Sequence, residues 1–488
     1  MESITAISTP AGVGGIAVIR LSGKDALEIA DRVWKGKRLS EVDSHTAHLG
    51  EILDAEGEMI DSAVATVFRE GRSFTGENTV EFSVHGSKWI QREVIARLIQ
   101  AGARAADRGE FTQRAFLNGR LDLAQAEAVA DLIASESKAA HRIAASQIKG
   151  QFSRRLNAIR DDMIKLASLL ELELDFSEEE VEFADRRQLL DLTESTLSQI
   201  RRLSSTFRTG KALKEGVPTV IAGIPNAGKS TLLNHLIGDE KAIVSDIPGT
   251  TRDTIEDTAE INGVLYRFID TAGLRDSDDT IERIGIERAH AQLSKARIIL
   301  WLIDPTSPLE PQLSLIQETL LPQLSLLQDT PLSQCEGSSV AHTLSSSSNA
   351  EESPTRSSSD PILIPVITKS DIVPEITLPQ LPVQAMSPIV ISAKTGEGIT
   401  RLEQALTEAS GGDTDGETLL ITNLRHYESL ERTAAALERV KTSLTEGISG
   451  DFIAQDLREA IHHLGAITGA ITTDTLLHSI FSTFCIGK

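Results

Sequence analysis

Cysteine is almost absent: Cys335 and Cys485 are the only two in 488 residues. Two thiols cannot make a disulfide framework, which suits a chain folded in a reducing compartment. Basic residues are scarce as well, 48 Lys and Arg against 71 Asp and Glu, for a net charge of −23. That surplus argues against a surface coated in nucleic acid or anionic lipid, so any RNA contact must be a local basic patch. No stretch approaches the ~18 apolar residues of a membrane-spanning helix. Met1-Glu2 stands where a signal peptide would carry Lys or Arg. The expectation is a cytoplasmic protein with no membrane partner. What is present is a globular balance, 24% charged and 40% apolar, at a length that suits two to four domains.

Texture divides the chain. Residues 1–118 hold short strand-like runs such as Gly15–Arg20 and Thr79–Val84 between turn clusters, the pattern of a small α+β domain. Residues 119–214 are rich in Ala and Leu with apolar residues three and four apart, which predicts long helices. Across 215–412 the apolar runs VPTVIAG, LYRFID, IILWLID, ILIPVIT and PIVIS alternate with helical stretches, predicting a parallel sheet covered on both faces. Helical texture returns over 413–488, so the α/β unit reads as an insertion into a helical bundle. The segment 306–360 interrupts that unit. Its second half has ten serines between Ser338 and Ser359 and reads as a disordered excursion. Its first half could form a short amphipathic helix, against which Pro322 counts.

Gly223-Ile224-Pro225-Asn226-Ala227-Gly228-Lys229-Ser230 follows a strand and precedes a helix-like stretch beginning at Thr231. In that context G-x-x-x-x-G-K-S closes backbone N–H groups around phosphate oxygens. Lys229 can reach the β- and γ-phosphates and the Ser230 hydroxyl can ligate Mg²⁺. Three further segments end predicted strands: Asp270-Thr271-Ala272-Gly273, Thr368-Lys369-Ser370-Asp371 and Ser392-Ala393-Lys394. Ligands of an open α/β sheet bind beyond the carboxyl ends of its strands, so all four segments converge on one crevice. Together they resemble the GTPase signature, in which Asp371 would accept from guanine and Lys369 would lie over the base. Thr368 departs from the usual Asn. Between them, Ile247 to Asp253 occupies the place of a switch loop, with Thr251 as the second hydroxyl for Mg²⁺.

Leu274 stands where Ras-like proteins carry the glutamine that orients attacking water, and it cannot do that work. Acids in Asp276–Glu282 are the candidates, although by spacing alone they are solvated charges.

The segments GIPNAGKSTLLN, PGTTRD, DTAGLR with IERIGIERA, GEFTQRAFLNGRLDLAQAEAVADLI, SFTGENTVEFSVHG and the tail FCIGK resemble the bacterial MnmE (TrmE) tRNA modification GTPases over nearly the whole chain outside the insert. The resemblance implies a multidomain α/β and α protein: a folate-binding-like and dimerising N-terminal domain, a helical bundle, and an inserted Ras-like P-loop domain. It further implies a homodimer whose G domains are activated by pairing, with potassium near the phosphates where other GTPases use an arginine finger. The family's potassium ligands fall on Asn226, Ser245, Ile247 and Thr250, and its water-orienting glutamate on Glu282. Its 5-formyl- or methylene-tetrahydrofolate contacts fall on Arg20, Glu81, Arg120 and Lys488, with Arg120 replacing a lysine. Taken alone, Arg20 and Glu81 would be a cross-strand charge pair. Cys485 corresponds to the functional thiol of a C-x-G-K tail, though a free Cys in an apolar setting is more often a small core residue. Cys335, in the insert, reads as inert.

The implied activity is GTP hydrolysis that, with an FAD-dependent MnmG-like partner in a heterotetramer, installs a carboxymethylaminomethyl-type group at C5 of the wobble uridine of certain tRNAs. For tRNA, Arg201, Arg202, Arg208, Lys211 and Lys214 form a candidate basic face, or simply a solvated helix face. The alternative from another class is a switch or assembly GTPase with no modification chemistry, which would need neither the folate-like domain nor the tail.

Overall fold

The computed structural model of the chain describes residues 1–175, 186–241, 256–269, 296–312, 314, 361–373, 386–411 and 419–487. They divide into two compact units, one of residues 1–134, 144–199 and 429–488, the other of residues 135–143 and 200–428.

The first unit begins with a seven-stranded sheet. Its strands are β1 (Ile4–Ile7), β2 (Gly14–Ser22), β3 (Trp34–Lys35), β4 (Thr46–Leu53), β5 (Met59–Phe68), β6 (Thr79–Gly86) and β7 (Arg104–Ala105), in the order β3-β4-β5-β6-β2-β1-β7. All neighbours are antiparallel except β1 and β7. Alternation decides the faces: in β5 Ala63, Ala65 and Val67 are buried while Ser62 and Val64 are exposed. The buried face packs on α1 (Ala26–Val33) and α2 (Lys88–Gln100), with Phe82, Ile19, Leu21 and Val94 fully enclosed. The open face carries Arg20 of β2 directly opposite Glu81 of β6.

Helices follow as the Ala- and Leu-rich texture predicts: α3 (Glu110–Leu117), α4 (Leu123–Ile133), α5 (Lys138–Ile148), α6 (Gln151–Asp175), α7 (Arg186–Ser205) and α8 (Phe207–Glu215). A capping box starts α4, where Asp122 accepts from the Gln125 backbone and the Gln125 side chain accepts from that of Asp122.

In the second unit the strands are β8 (Val217–Gly223), β9 (Glu256–Ile261), β10 (Val264–Ile269), β11 (Ile298–Ile303), β12 (Ile362–Ile367) and β13 (Ile389–Val390), in the order β13-β12-β11-β8-β10-β9. With them run α9 (Lys229–Lys241) and α10 (Ile399–Ser410). Every residue of the central strand β11 is buried, as expected for a strand covered on both faces. Pro365 in β12 is opposite Trp301 of β11, and β13 pairs only from Val366 onward. The residue without an N–H thus lies before the second ladder begins. One expectation is corrected: the sheet is not wholly parallel, because β9 runs antiparallel to β10. Asn262 (φ 51°) and Gly263 (φ 82°) make the tight turn between them. Asn-Gly between two apolar runs is a strong hairpin signal that a search for alternating strands and helices passes over.

The chain returns in α11 (Leu424–Glu446), α12 (Gly450–Thr468) and α13 (Asp474–Phe481). Within the first unit α12 packs along α6, and Leu457, Ala460 and Leu464 of α12 are buried. Among the described residues no helix is long and apolar enough to cross a membrane.

Candidate functional site

The phosphate loop is a turn between β8 and α9. Gly223 lies against β11, where an added Cβ would stand 2.7 Å from the Leu302 carbonyl oxygen. Asn226 adopts φ 63°, a left-handed conformation that asparagine tolerates better than most residues. Gly228 (φ 95°) has nothing within 4 Å of the place a Cβ would take. Among the described residues, no atom crowds the backbone at Gly228. Lys229 begins the helix, and its Nζ donates to the carbonyls of Gly223 and Ile224, both at 2.9 Å. These bonds place the ammonium at the mouth of the loop, and a charged phosphate oxygen is a stronger acceptor than a carbonyl. Ser230 and Thr231 occupy the first turn, exposed. No cluster of three His, Cys, Asp or Glu suited to a metal occurs among the described residues. Magnesium at such a loop needs none, because hydroxyl and phosphate oxygens complete its shell.

The base-reading segments lie at the ends of β12 and β13. Ser392, fully buried, donates from Oγ to Asp371 Oδ1 at 2.8 Å and orients that exposed carboxylate. Lys369 (φ 60°) pairs with Asp304 at 2.6 Å, and Asp304 is 3% exposed. Burial pushes the Asp304 carboxyl up, but hydrogen bonds from Lys369 and Thr306 outweigh it and hold the group below the usual aspartate range. Thr368 is buried and donates from Oγ1 to the Ile303 carbonyl at 3.3 Å. It is anchored to the end of β11. Asp304 escaped the sequence reading; its signal was an acid ending an otherwise apolar strand, IILWLID. Ala393 is half-buried and Lys394 exposed beside it.

A second constellation lies in the first unit. Arg20 Nε and Nη2 each reach Glu81 Oε1 at 2.8 Å, so the cross-strand charge pair is formed. The rings of Phe74 and Phe111 stand 5.7 and 5.5 Å from the Arg20 guanidinium carbon. Buried Arg114 binds Glu77 and Glu110, and Glu77 accepts from Ser22, which fixes the 73–78 turn against the end of β2. The C-terminal tail reaches the same sheet. Gly487 accepts a bond from Ser8 Oγ at 3.2 Å, and a Cβ on it would stand 2.1 Å from the Ile7 carbonyl oxygen. Ile7 neighbours Ala6, which is paired with Arg20. Cys485 is exposed and free, so the core-residue reading of it is overturned.

Arg120 is exposed, beside the same turn. Arg201, Arg202, Arg208 and Lys211 are exposed on α7 and α8, and Lys214 is half-buried. Ser245, Ile247, Thr250, Thr251, Asp270, Thr271, Ala272, Gly273, Leu274, Glu282, Cys335 and Lys488 lie outside the described residues, as does most of the 306–360 insert.

Comparison with known proteins bears on both constellations. The family described as GTP-binding protein TrmE N-terminus matches residues 3–120, and the MnmE helical domain family matches residues 123–485. The tRNA modification GTPase MnmE of Parabacteroides distasonis is 46% identical over 496 residues, covering 100% of both chains. This chain belongs to the MnmE family of tRNA modification GTPases. The relative from Cytophaga hutchinsonii is 45% identical, covering 100% of this chain and 98% of that one, and the one from Christiangramia forsetii 42%, covering 100% and 99%. As a member of that family the protein is a multidomain GTP-hydrolysing enzyme, with GTP and Mg²⁺ as the ligands of its phosphate loop.

Proposed function

We propose that the enzyme is a cytoplasmic homodimer that couples GTP turnover to modification of C5 of the wobble uridine in certain tRNAs, acting with an FAD-dependent MnmG-like partner in a heterotetramer. The observation that carries this reading is the seating of the Cys485–Gly487 tail against β1, one residue from the partner of Arg20. A switch or assembly GTPase has no use for a thiol-bearing tail at a second site. In this reading the product is a carboxymethylaminomethyl-type group, and Arg20, Glu81, Arg120 and Lys488 bind a 5-formyl- or methylene-tetrahydrofolate. Such a folate supplies a one-carbon unit when bound. The Arg20–Glu81 pair, flanked by two aromatic rings, offers an acceptor and a donor to a flat polar ring.

At the nucleotide, Lys229 exchanges its two carbonyl partners for phosphate oxygens while Ser230 and Thr251 hold the magnesium. Asp371, steadied by Ser392, accepts from the base. Asp270 to Gly273 follow the γ-phosphate, and Glu282 orients water in place of Leu274. Asn226, Ser245, Ile247 and Thr250 hold a potassium ion, which supplies one positive charge against the charge developing on the phosphates. The Asn226 side chain is exposed on the loop. Domains are assigned as residues 1–118, 119–214, 215–412 and 413–488. Mass spectrometry of tRNA nucleosides from a deletion strain tests the function. Loss of a C5 side chain on wobble uridines is the expected result, and an unchanged nucleoside profile would leave the switch reading in its place.

A further inference from the structure

A cavity of about 440 Å³ opens in the first unit where α3, α4, α6 and the end of α12 meet. Its polar lining is Arg120, Asp122, Gln125, Asn157 and Arg160, and Phe116 gives it one aromatic wall. The acid and one amide are committed to the fold. Asp122 caps α4, and Gln125 bonds the Asp122 backbone and donates to the Ile148 carbonyl at 2.8 Å. The cations are not. Neither the Arg120 nor the Arg160 guanidinium, nor the Asn157 amide, has a partner among the described residues. In a chain with a surplus of 23 negative charges, two uncompensated guanidiniums beside one cavity are out of keeping with the rest of the surface. Two planar forks and an amide donor match an oxyanion, carboxylate or phosphate.

The 73–78 turn links this cavity to Arg20. Phe74 stacks at the Arg20 guanidinium. Two residues on, a Cβ at Gly76 would lie 3.2 Å from Arg120 Cγ, and the Thr75 carbonyl accepts from Asn118 at 2.7 Å. One short turn therefore touches both the Arg20–Glu81 pair and the stem of Arg120. A reduced folate has a neutral, hydrogen-bonding pyrimidinone ring at one end and its carboxylates at the other. We infer that the cavity is an oxyanion site, with Arg160 and Asn157 joining Arg120 to hold the carboxylates of the folate's glutamyl end. This rests on the folate reading proposed above and adds to it two residues of the helical region, α6, that no motif marked.

The test is a cycle of two ligands and two proteins on the full-length chain, read by calorimetry. The ligands are 5-formyl-tetrahydrofolate and the corresponding tetrahydropteroate capped as its methylamide, which lacks the glutamate and carries no carboxylate. Against the parent, removing the glutamate should weaken binding roughly tenfold or more, the effect of losing one or two charge-assisted hydrogen bonds. Against Arg160→Gln the two ligands should bind within about twofold of each other, with the tetrahydropteroate bound as in the parent. Asn157→Ala should give a smaller loss of the same kind, and serves if Arg160→Gln does not fold. An equal glutamate effect in parent and variants would overturn the proposal while leaving the folate reading standing. Loss of tRNA affinity in Arg160→Gln with the glutamate effect intact would overturn it too, because the occupant would then be a phosphate of RNA. Failure of both ligands to bind the parent would bring down the folate reading itself.

Discussion

The phosphate loop and the sheet face of the first unit both present a cation, and they prepare it differently. Lys229 is held by main-chain carbonyls of its own loop, five and six residues away in sequence. Arg20 is held by a carboxylate 61 residues away and by rings from two other segments. The first arrangement is a property of backbone conformation: Gly223, Asn226 and Gly228 all have positive φ. The second is a property of tertiary assembly, in which β2, β6, the 73–78 turn, α3 and the tail must all be in register. A site of the first kind should lose function mainly through ligand contacts. A site of the second kind should also be sensitive to whatever seats its parts.

The largest expected effect belongs to the backbone-built site. Lys229→Ala removes charge-assisted bonds to phosphate and should weaken GTP binding roughly a hundredfold, about 2.7 kcal/mol, measured by nucleotide titration. Less than a threefold change would show that the loop backbone alone carries the affinity. Next comes Glu282→Ala, expected to keep GTP affinity while turnover in potassium buffer falls at least roughly tenfold, about 1.4 kcal/mol of barrier. Near-normal turnover would move the water-orienting role to another acid of the same segment.

A smaller effect sharpens the comparison from the packing side. Asp304→Asn removes the carboxylate that positions Lys369 and should cost roughly 1–2 kcal/mol of stability at neutral pH, allowing for solvent at half-buried Lys369. The Asp304 carboxyl is held below its ordinary value in the folded chain. Its contribution is therefore fully present above the unfolded value near about pH 4 and is lost as pH falls through the folded value. Thermal unfolding of parent and variant should differ at pH 7 and converge below about pH 4. A difference that grew on acidification would contradict the ion pair. Smallest in stability is Gly487→Ala, which sets a Cβ against the Ile7 carbonyl at φ 95°. It should leave GTP hydrolysis unchanged and lower tRNA modification. Unaltered modification would show that the seated tail has no part in it.

The same contrast explains what could be read from the chain alone. Gly223–Ser230 was legible because its chemistry is local: glycines, a lysine and a hydroxyl at fixed spacing between a strand and a helix. Asp371 and Ser392 were legible as strand endings, and their hydrogen bond confirms that β12 and β13 bring them together. The antiparallel β9 was missed because its pattern, EDTAEI, is half polar as an edge strand should be, and the Asn262-Gly263 turn was the only cue. Asp304 was missed because one acid after an apolar run has no motif. Arg160 and Asn157 carry no local signal at all, since the cavity they line exists only where α3, α4, α6 and α12 meet.

The central claim is that two separately built sites serve one reaction, and a complementation assay with paired readouts tests it most directly. In a deletion strain expressing Cys485→Ser, purified enzyme should hydrolyse GTP at the parental rate while wobble-uridine modification, read by nucleoside mass spectrometry, is lost or sharply reduced. In the same strain Lys229→Ala should lose both. Full modification with Cys485→Ser would contradict the account, since the exposed thiol at the end of the tail would then have no part in the chemistry.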